Sequence, residues 1–152
     1  MKCCGGASSE AQRQSEADEY MEFQRDAMTA GGLLDLPVGS PIVFGGDLNM
    51  VGLAGPIVTI QTGDIMDNGA YGPDFAPDWD GTSMLELPIL QADRPMDYTW
   101  RNDGSVYMPG KLDYAIISDG VVEAVRMFGL QTNDMSADRL AQYGLQSGDT
   151  WN

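Results

Sequence analysis

Apolar and polar positions recur along this chain with two different periods, and the switches between them mark out the elements. Over residues 9–30, Ala17, Tyr20, Met21, Ala27 and Met28 fall on one side, with Glu, Asp, Arg and Gln largely opposite. That spacing predicts an amphipathic helix. Ser9 followed by Gln12 fits a capping box at its start, and Gly31-Gly32 fits a left-handed cap at its end. Residues 41–47 bring Ile42, Val43 and Phe44 ahead of two glycines and read as a short strand buried on both faces. Gly55-Pro56-Ile57 puts a proline where a first helical turn accepts it, predicting a helix over 56–62 closed by Gly63.

Periodicity then lapses. Residues 66–86 are rich in Asp, Gly and Pro and read as a long loop, of the kind that is functional or mobile. Within it, Asp78-Trp79-Asp80-Gly81-Thr82 resembles part of a calcium loop. It lacks the remaining ligands and the closing glutamate, and reads as a turn. Tyr98-Thr99-Trp100 is a short β-type run before a hairpin-type turn at Asn102-Asp103-Gly104-Ser105. Residues 111–118 form the second strand, again apolar on both faces, with Asp113 near its beginning. A carboxylate there is costly unless paired or hydrogen-bonded. A further strand is expected over 124–130, then a short helix over 136–143 with Leu140 and Tyr143 inward and Gly144 as its stop.

Composition narrows the function classes. The 152 residues, 43% of them hydrophobic, have room for one domain and one core. Eight basic against 23 acidic residues give a net charge of −15, and the basic ones form no cluster. Polyanions are repelled at long range by such a surface, so a general nucleic-acid binder is disfavoured unless cations intervene. No apolar run approaches a membrane span, and no membrane partner is expected. The first residues carry no apolar signal region, and the compartment is left open. Cys3 and Cys4 are adjacent and have no other cysteine to pair with. A bond between neighbours is strained, so free thiols are expected. The chain has no histidine at all, which leaves too few ligands for a soft-metal site.

The candidate chemistry sits at strand ends. Asp47 and Asn49 follow the first strand at its C-terminal edge, where open α/β layers place their reactive groups. Their side chains point the same way if the strand continues to Asn49. The plain alternative is an Asx-rich turn. For Asp113 the plain alternative is an ion pair with Lys111 or Arg101. Tyr98 and Trp100 read as core aromatics, and the ten methionines as packing filler.

Taken in order, Gly46-Asp47-Leu48-Asn49, Tyr98-Thr99-Trp100 and Lys111-Leu112-Asp113-Tyr114 resemble the C-terminal half of the endonuclease/exonuclease/phosphatase superfamily, the deoxyribonuclease-I-like fold. The resemblance runs over about residues 9–151. It implies an α/β fold that is part of a four-layer α/β/β/α sandwich, with residues 1–152 as a single partial domain truncated at both ends. It also implies phosphoester cleavage with Mg²⁺, or Mn²⁺ as the alternative, by in-line attack of water. In that scheme Asp47 positions or activates the water, Asn49 donates to the phosphate in the transition state, and Asp113 orients a histidine. The family's histidines and metal-binding glutamate have no counterpart in this sequence, so the chain is expected to be inactive alone. The substrate is a phosphoester, small molecule or nucleic acid. The sheet left uncovered by truncation is expected to make the isolated chain self-associate. The rival expectation is a degenerate half-domain that binds or assembles without catalysis.

Overall fold

Helix α1 (Ala7–Met28) is the element against which half of the molecule is built. The computed structural model describes residues 1–3 and 5–150, and they fall into two compact units. The first comprises Met1–Leu87 and Asp113–Glu123, the second Pro88–Leu112 and Ala124–Asn152. The helix begins three residues earlier than the capping box suggests, because Gly6, at φ 97°, turns the chain and its carbonyl accepts from Glu10 at 3.0 Å. Ser9 therefore lies inside the helix and caps nothing. At the other end an extended Thr29 is the C-cap, and the left-handed turn comes only at Gly31.

The buried face of α1 holds Ala17, Met21 and Ala27, as the periodicity predicts, but also Arg13, Asp18 and Gln24. The polar three are inside because each meets main-chain groups that would otherwise be orphaned. Arg13 donates to the Lys2 and Val51 carbonyls at 3.1 and 3.0 Å. Asp18 accepts from the Met66 and Asp67 amides at 3.1 and 3.0 Å, and Gln24 donates to the Pro77 carbonyl at 2.8 Å. Arg25 adds bonds of 2.6 Å to the carbonyls of Tyr71 and Pro73. The long segment over 66–86 is thus tied to α1 along its length. It contains a single helical turn, α3 (Asn68–Tyr71), capped by Asp67, and a tight turn at 78–82.

Helix α2 (Gly55–Thr62) matches its sequence signal, with Pro56 in the first turn and Gly63 as a left-handed C-cap. Only glycine serves there: a Cβ on Gly63 would lie 1.9 Å from the Phe75 carbonyl oxygen. Ile57 and Ile60 of α2 join Ala17, Met21, Leu48, Ile65, Met84 and Ile116 in the core of the first unit.

The sheet has three antiparallel strands, β1 (Val43–Asp47), β2 (Leu85–Glu86) and β3 (Asp113–Ile117), in the order β1-β3-β2. Phe44 opposes Ile116 and Gly46 opposes Tyr114, so these residues share the face turned to α1. The Phe44 ring meets Tyr20 of the helix, 4.4 Å between centroids. Val43, Gly45 and Asp47, with Asp113, Ala115 and Ile117, belong to the other face. Burial of β1 on both faces, expected from its apolar run, is not found: the strand is a sheet edge and Val43 is 67% exposed. The chain is a small mixed α/β protein, with one three-stranded antiparallel sheet and four α-helices among the described residues.

The second unit has little regular structure. Trp100 and Gly110 form an isolated antiparallel bridge around the Asn102–Ser105 turn, where the Asn102 carbonyl accepts from Ser105 at 2.9 Å. Residues 124–130 form no strand, in contrast to their sequence pattern; only Gly129 finds a ladder partner, Gln91. Without neighbours to complete its hydrogen bonds, an apolar run does not become a strand. Helix α4 (Ala137–Tyr143) has the expected ends, Ser136 capping the Arg139 amide and Gly144 left-handed. Tyr143 is not inward as expected but more than half exposed, its ring 5.1 Å from the Arg139 guanidinium carbon and its hydroxyl accepting from the same group. Cys3 is disulfide-bonded, which corrects the expectation of a free thiol; the same expectation for Cys4 lies outside the described residues. No helix among the described residues is long and apolar enough to cross a membrane.

Candidate functional site

Two of the three residues singled out by sequence are brought face to face. The register of β1 against β3 sets Asp47 directly opposite Asp113. Which kind of pair they form follows from the neighbouring hydrogen bonds. Ala115 accepts from Leu87 on the β2 side, and Ser118 donates to Ile42 on the β1 side. Along β3 the even-numbered residues therefore bond β1, and the odd-numbered ones point their main-chain groups towards β2. Asp47 and Asp113 consequently form a non-hydrogen-bonded pair, whose Cα atoms stand about 4.5 Å apart with side chains on one face. Asp47 is exposed and Asp113 half-buried. Like charges in this position repel, and a cation between or beside them relieves the repulsion.

Asn49 joins them less directly. The strand ends at Asp47, and Asn49 has φ 49°, in the left-handed region that asparagine tolerates. Its side chain therefore does not continue the strand direction. Its amide N–H donates to Asp47 Oδ1 at 2.8 Å, an Asx turn, and its Nδ2 donates to the Met1 carbonyl at 3.2 Å. One Asp47 carboxylate oxygen is thus fixed by the backbone two residues on. Arg101, one of the two cations considered for Asp113, is engaged within the second unit. It grips Asp103 with Nε and Nη2 at 2.6 and 2.8 Å and reaches Asp134 at 3.3 Å. The Asp103 contact, with the Tyr98 hydroxyl next, holds the Arg101 guanidinium well above its ordinary value, and the same contact holds the exposed Asp103 carboxyl below its own.

Each unit has an open recess of its own. One, of about 660 Å³, is lined by Met1, Lys2, Glu16, Tyr20, Phe44 and Asp47 among others. The other, of about 560 Å³, lies in the second unit and is lined by Trp100, Arg101, Asp103 and Asp134 with three carboxamides. Neither contains both members of the carboxylate pair, so the facing pair and not a cavity defines the site. No protein-family profile, no curated protein and no solved structure matches this chain.

A hard divalent cation accepts such a setting if water and substrate oxygens complete its shell; Mg²⁺ is commonly held by one or two carboxylates with phosphate oxygens and several waters. Two opposed carboxylates fit that requirement. They do not make an all-protein cage, and among the described residues no group of three or more His, Cys, Asp or Glu side chains is arranged to hold a metal. Tyr20 was assigned by sequence only to the packing face of α1, yet it lines the recess beside Asp47. Burial pushes its phenol up to about 12. Its helical spacing identified the face but not the strand it would meet.

Proposed function

We propose that this chain carries the carboxylate side of a divalent-metal-dependent phosphoester hydrolase site, within an α/β/β/α fold of the endonuclease/exonuclease/phosphatase kind. The observation that carries the reading is the cross-strand pairing of Asp47 with Asp113, the two aspartates that the Gly-Asp-x-Asn and Lys-x-Asp-Tyr signatures single out independently. Asp47 is the group that orients a water and takes its proton. One of its oxygens is already fixed by the Asn49 amide, which leaves the other to face the water. The Asn49 carboxamide serves as donor to the developing charge on the phosphate once it leaves the Met1 carbonyl. Asp113 orients and polarises an imidazole. Asp47 and Asp113 would hold a divalent cation together with water and phosphate oxygens, and the chemistry it would supply is neutralisation of charge on the phosphate and on the leaving oxygen. The imidazoles that complete such a centre are not among these 152 residues, and the polypeptide alone is inactive under this reading. The strong negative charge favours a small phosphoester over an extended nucleic acid.

The second reading, a binding or assembly module without catalysis, is favoured by the local use of Asp47 Oδ1 and Asn49 Nδ2 in a turn. Manganese titration followed by NMR separates the two. The hydrolase-side reading expects paramagnetic broadening centred on the Asp47 and Asp113 amides, lost in Asp47→Asn. Absence of localised broadening supports the module. Robust phosphodiester turnover by the unmodified chain, abolished by Asp47→Ala, would overturn the inactivity stated above.

A further inference from the structure

The recess of the second unit is lined by groups whose hydrogen-bonding capacity the chain leaves partly unused. It measures about 560 Å³, within the range of about 300–1,000 Å³ typical of small-molecule sites. Its frame is fixed by main chain. Trp100 exchanges two bonds of 3.0 Å with Gly110, and the turn Thr132–Asp134 is anchored by the buried Thr132, whose amide bonds Thr150. The carboxamides of the lining are less committed. Asn102 Oδ1 accepts from the Gly104 amide at 3.0 Å and Asn133 Oδ1 from the Ser147 hydroxyl at 3.1 Å, which leaves both NH₂ groups without a partner among the described residues. The Gln131 carboxamide and the Trp100 indole N–H have none there either. Charge, by contrast, is already balanced. Arg101 holds Asp103 by bonds of 2.6 and 2.8 Å, and Asp134 meets Arg101 and Arg94 at 3.3 and 3.5 Å. Among the described lining residues no cation is left over for an anionic ligand.

We propose that this recess binds an uncharged pyranose, with one face of the ring on the Trp100 indole and its hydroxyls on the carboxamides of Gln131, Asn102 and Asn133. Each part of that description excludes a rival. A wholly apolar ligand would strand these donors on burial. An anion, phosphate included, finds both guanidinium groups engaged and a net charge of −15 around it. A nucleobase is flat on both faces and gains most between two apolar walls, whereas Trp100 is the only ring in the lining among the described residues. A pyranose has a C–H face for a single ring and a rim of hydroxyls. Each hydroxyl takes a carboxamide N–H and still gives its own proton to Gln131 Oε1 or to a lone pair of Asp103 or Asp134. The bonds from Arg101 hold those carboxylates in place before the ligand arrives, which lowers the ordering cost of binding. The site belongs to the second unit alone and does not depend on the phosphoester reading.

The probes are the methyl glycosides of glucose, galactose and mannose, each titrated into the full chain to about 50 mM, well above a millimolar Kd. With at least one of them, saturable shifts of the Trp100 indole N–H and the Gln131 side-chain NH₂ are expected in ¹H–¹⁵N spectra. The uronic acid counterpart of the best binder, the same ring carrying a carboxylate, should bind about tenfold more weakly. Gln131→Ala removes a side chain that bonds nothing in the free chain, so the fold is retained and binding should weaken about fivefold. Trp100→Ala should weaken it about tenfold; if that variant fails to fold, Gln131→Ala and the uronate carry the comparison. No saturable binding by any of the three glycosides overturns the inference. So do binding that Gln131→Ala leaves unchanged and binding of the uronate as tight as that of its parent. Adenosine bound more tightly than every glycoside overturns it too, since the recess is then a site for a base.

Discussion

The two units are held together by different forces. In the first, Met21, Ile60, Ile65 and Ile116 are withdrawn from water almost completely, and the buried polar side chains Arg13, Asp18 and Gln24 of α1 each bond loop backbone. In the second, Thr132 is the one buried residue among those described, bonded to Thr150 by its amide and hydroxyl at 2.8 and 3.1 Å. Its other ties are polar: Asp134 gathers the Tyr98 hydroxyl at 2.8 Å and the guanidinium groups of Arg101 and Arg94 at 3.3 and 3.5 Å. Partly exposed ion pairs of this kind contribute little each. Meanwhile Val106, Tyr107, Met108, Val125 and Phe128 stand largely in water. Apolar residues in the sequence stabilise only where something covers them, and the described residues of the second unit cover these five little. The first unit should therefore unfold as one cooperative body, and the second should open at low cost.

Ile116→Ala is the most direct way to break this contrast. It removes a fully buried side chain from the centre of β3 and should lower first-unit stability by about 3 kcal/mol, read from denaturant unfolding. A loss under about 1 kcal/mol would mean that the core is looser than its burial implies. Alkaline titration probes the same region. Burial holds the Tyr20 phenol protonated up to about 12, whereas in the unfolded chain it ionises near 10.0. Stability is constant below pH 10 on this account and falls as pH rises towards 12, by roughly 2 kcal/mol, since the unfolded chain releases its proton first. Tyr20→Phe should flatten that fall. The smallest effect is expected in the second unit. Phe128→Ala should leave the denaturation midpoint within about 0.5 kcal/mol of the parent, and second-unit amides should exchange before those of β3. A large loss there would show that Phe128 is covered in solution.

Local signals foretold much of the first unit and little of the second. The proline and glycine around α2, the caps of α4 and the apolar stripe of α1 are short-range features, and each produced its element. The inward turning of Arg13, Asp18 and Gln24 was not legible, because it depends on which loop carbonyls and amides arrive beside the helix. The apolar run at 124–130 misled for the same reason: a strand is decided by its neighbours. At the candidate site, residue types and spacing pointed to Asp47, Asn49 and Asp113. Only the register could say that the two aspartates face each other, and only the backbone angle at Asn49 could say that it turns aside.

The hold of α1 on the segment over 66–86 has a consequence for how the sequence can drift. Asp18 grips the amides of residues 66 and 67, and Arg25 grips the carbonyls of 71 and 73. Amides and carbonyls are nearly the same whatever side chain they carry. These bonds therefore place no demand on side-chain identity at the gripped positions, where Asp67 and Tyr71 are held to type only by their own cap and hydroxyl bond, while the gripping residues must keep theirs. Across these bonds tolerance to substitution is therefore lopsided although the contact is symmetric in space, and the helix side carries the constraint that they impose.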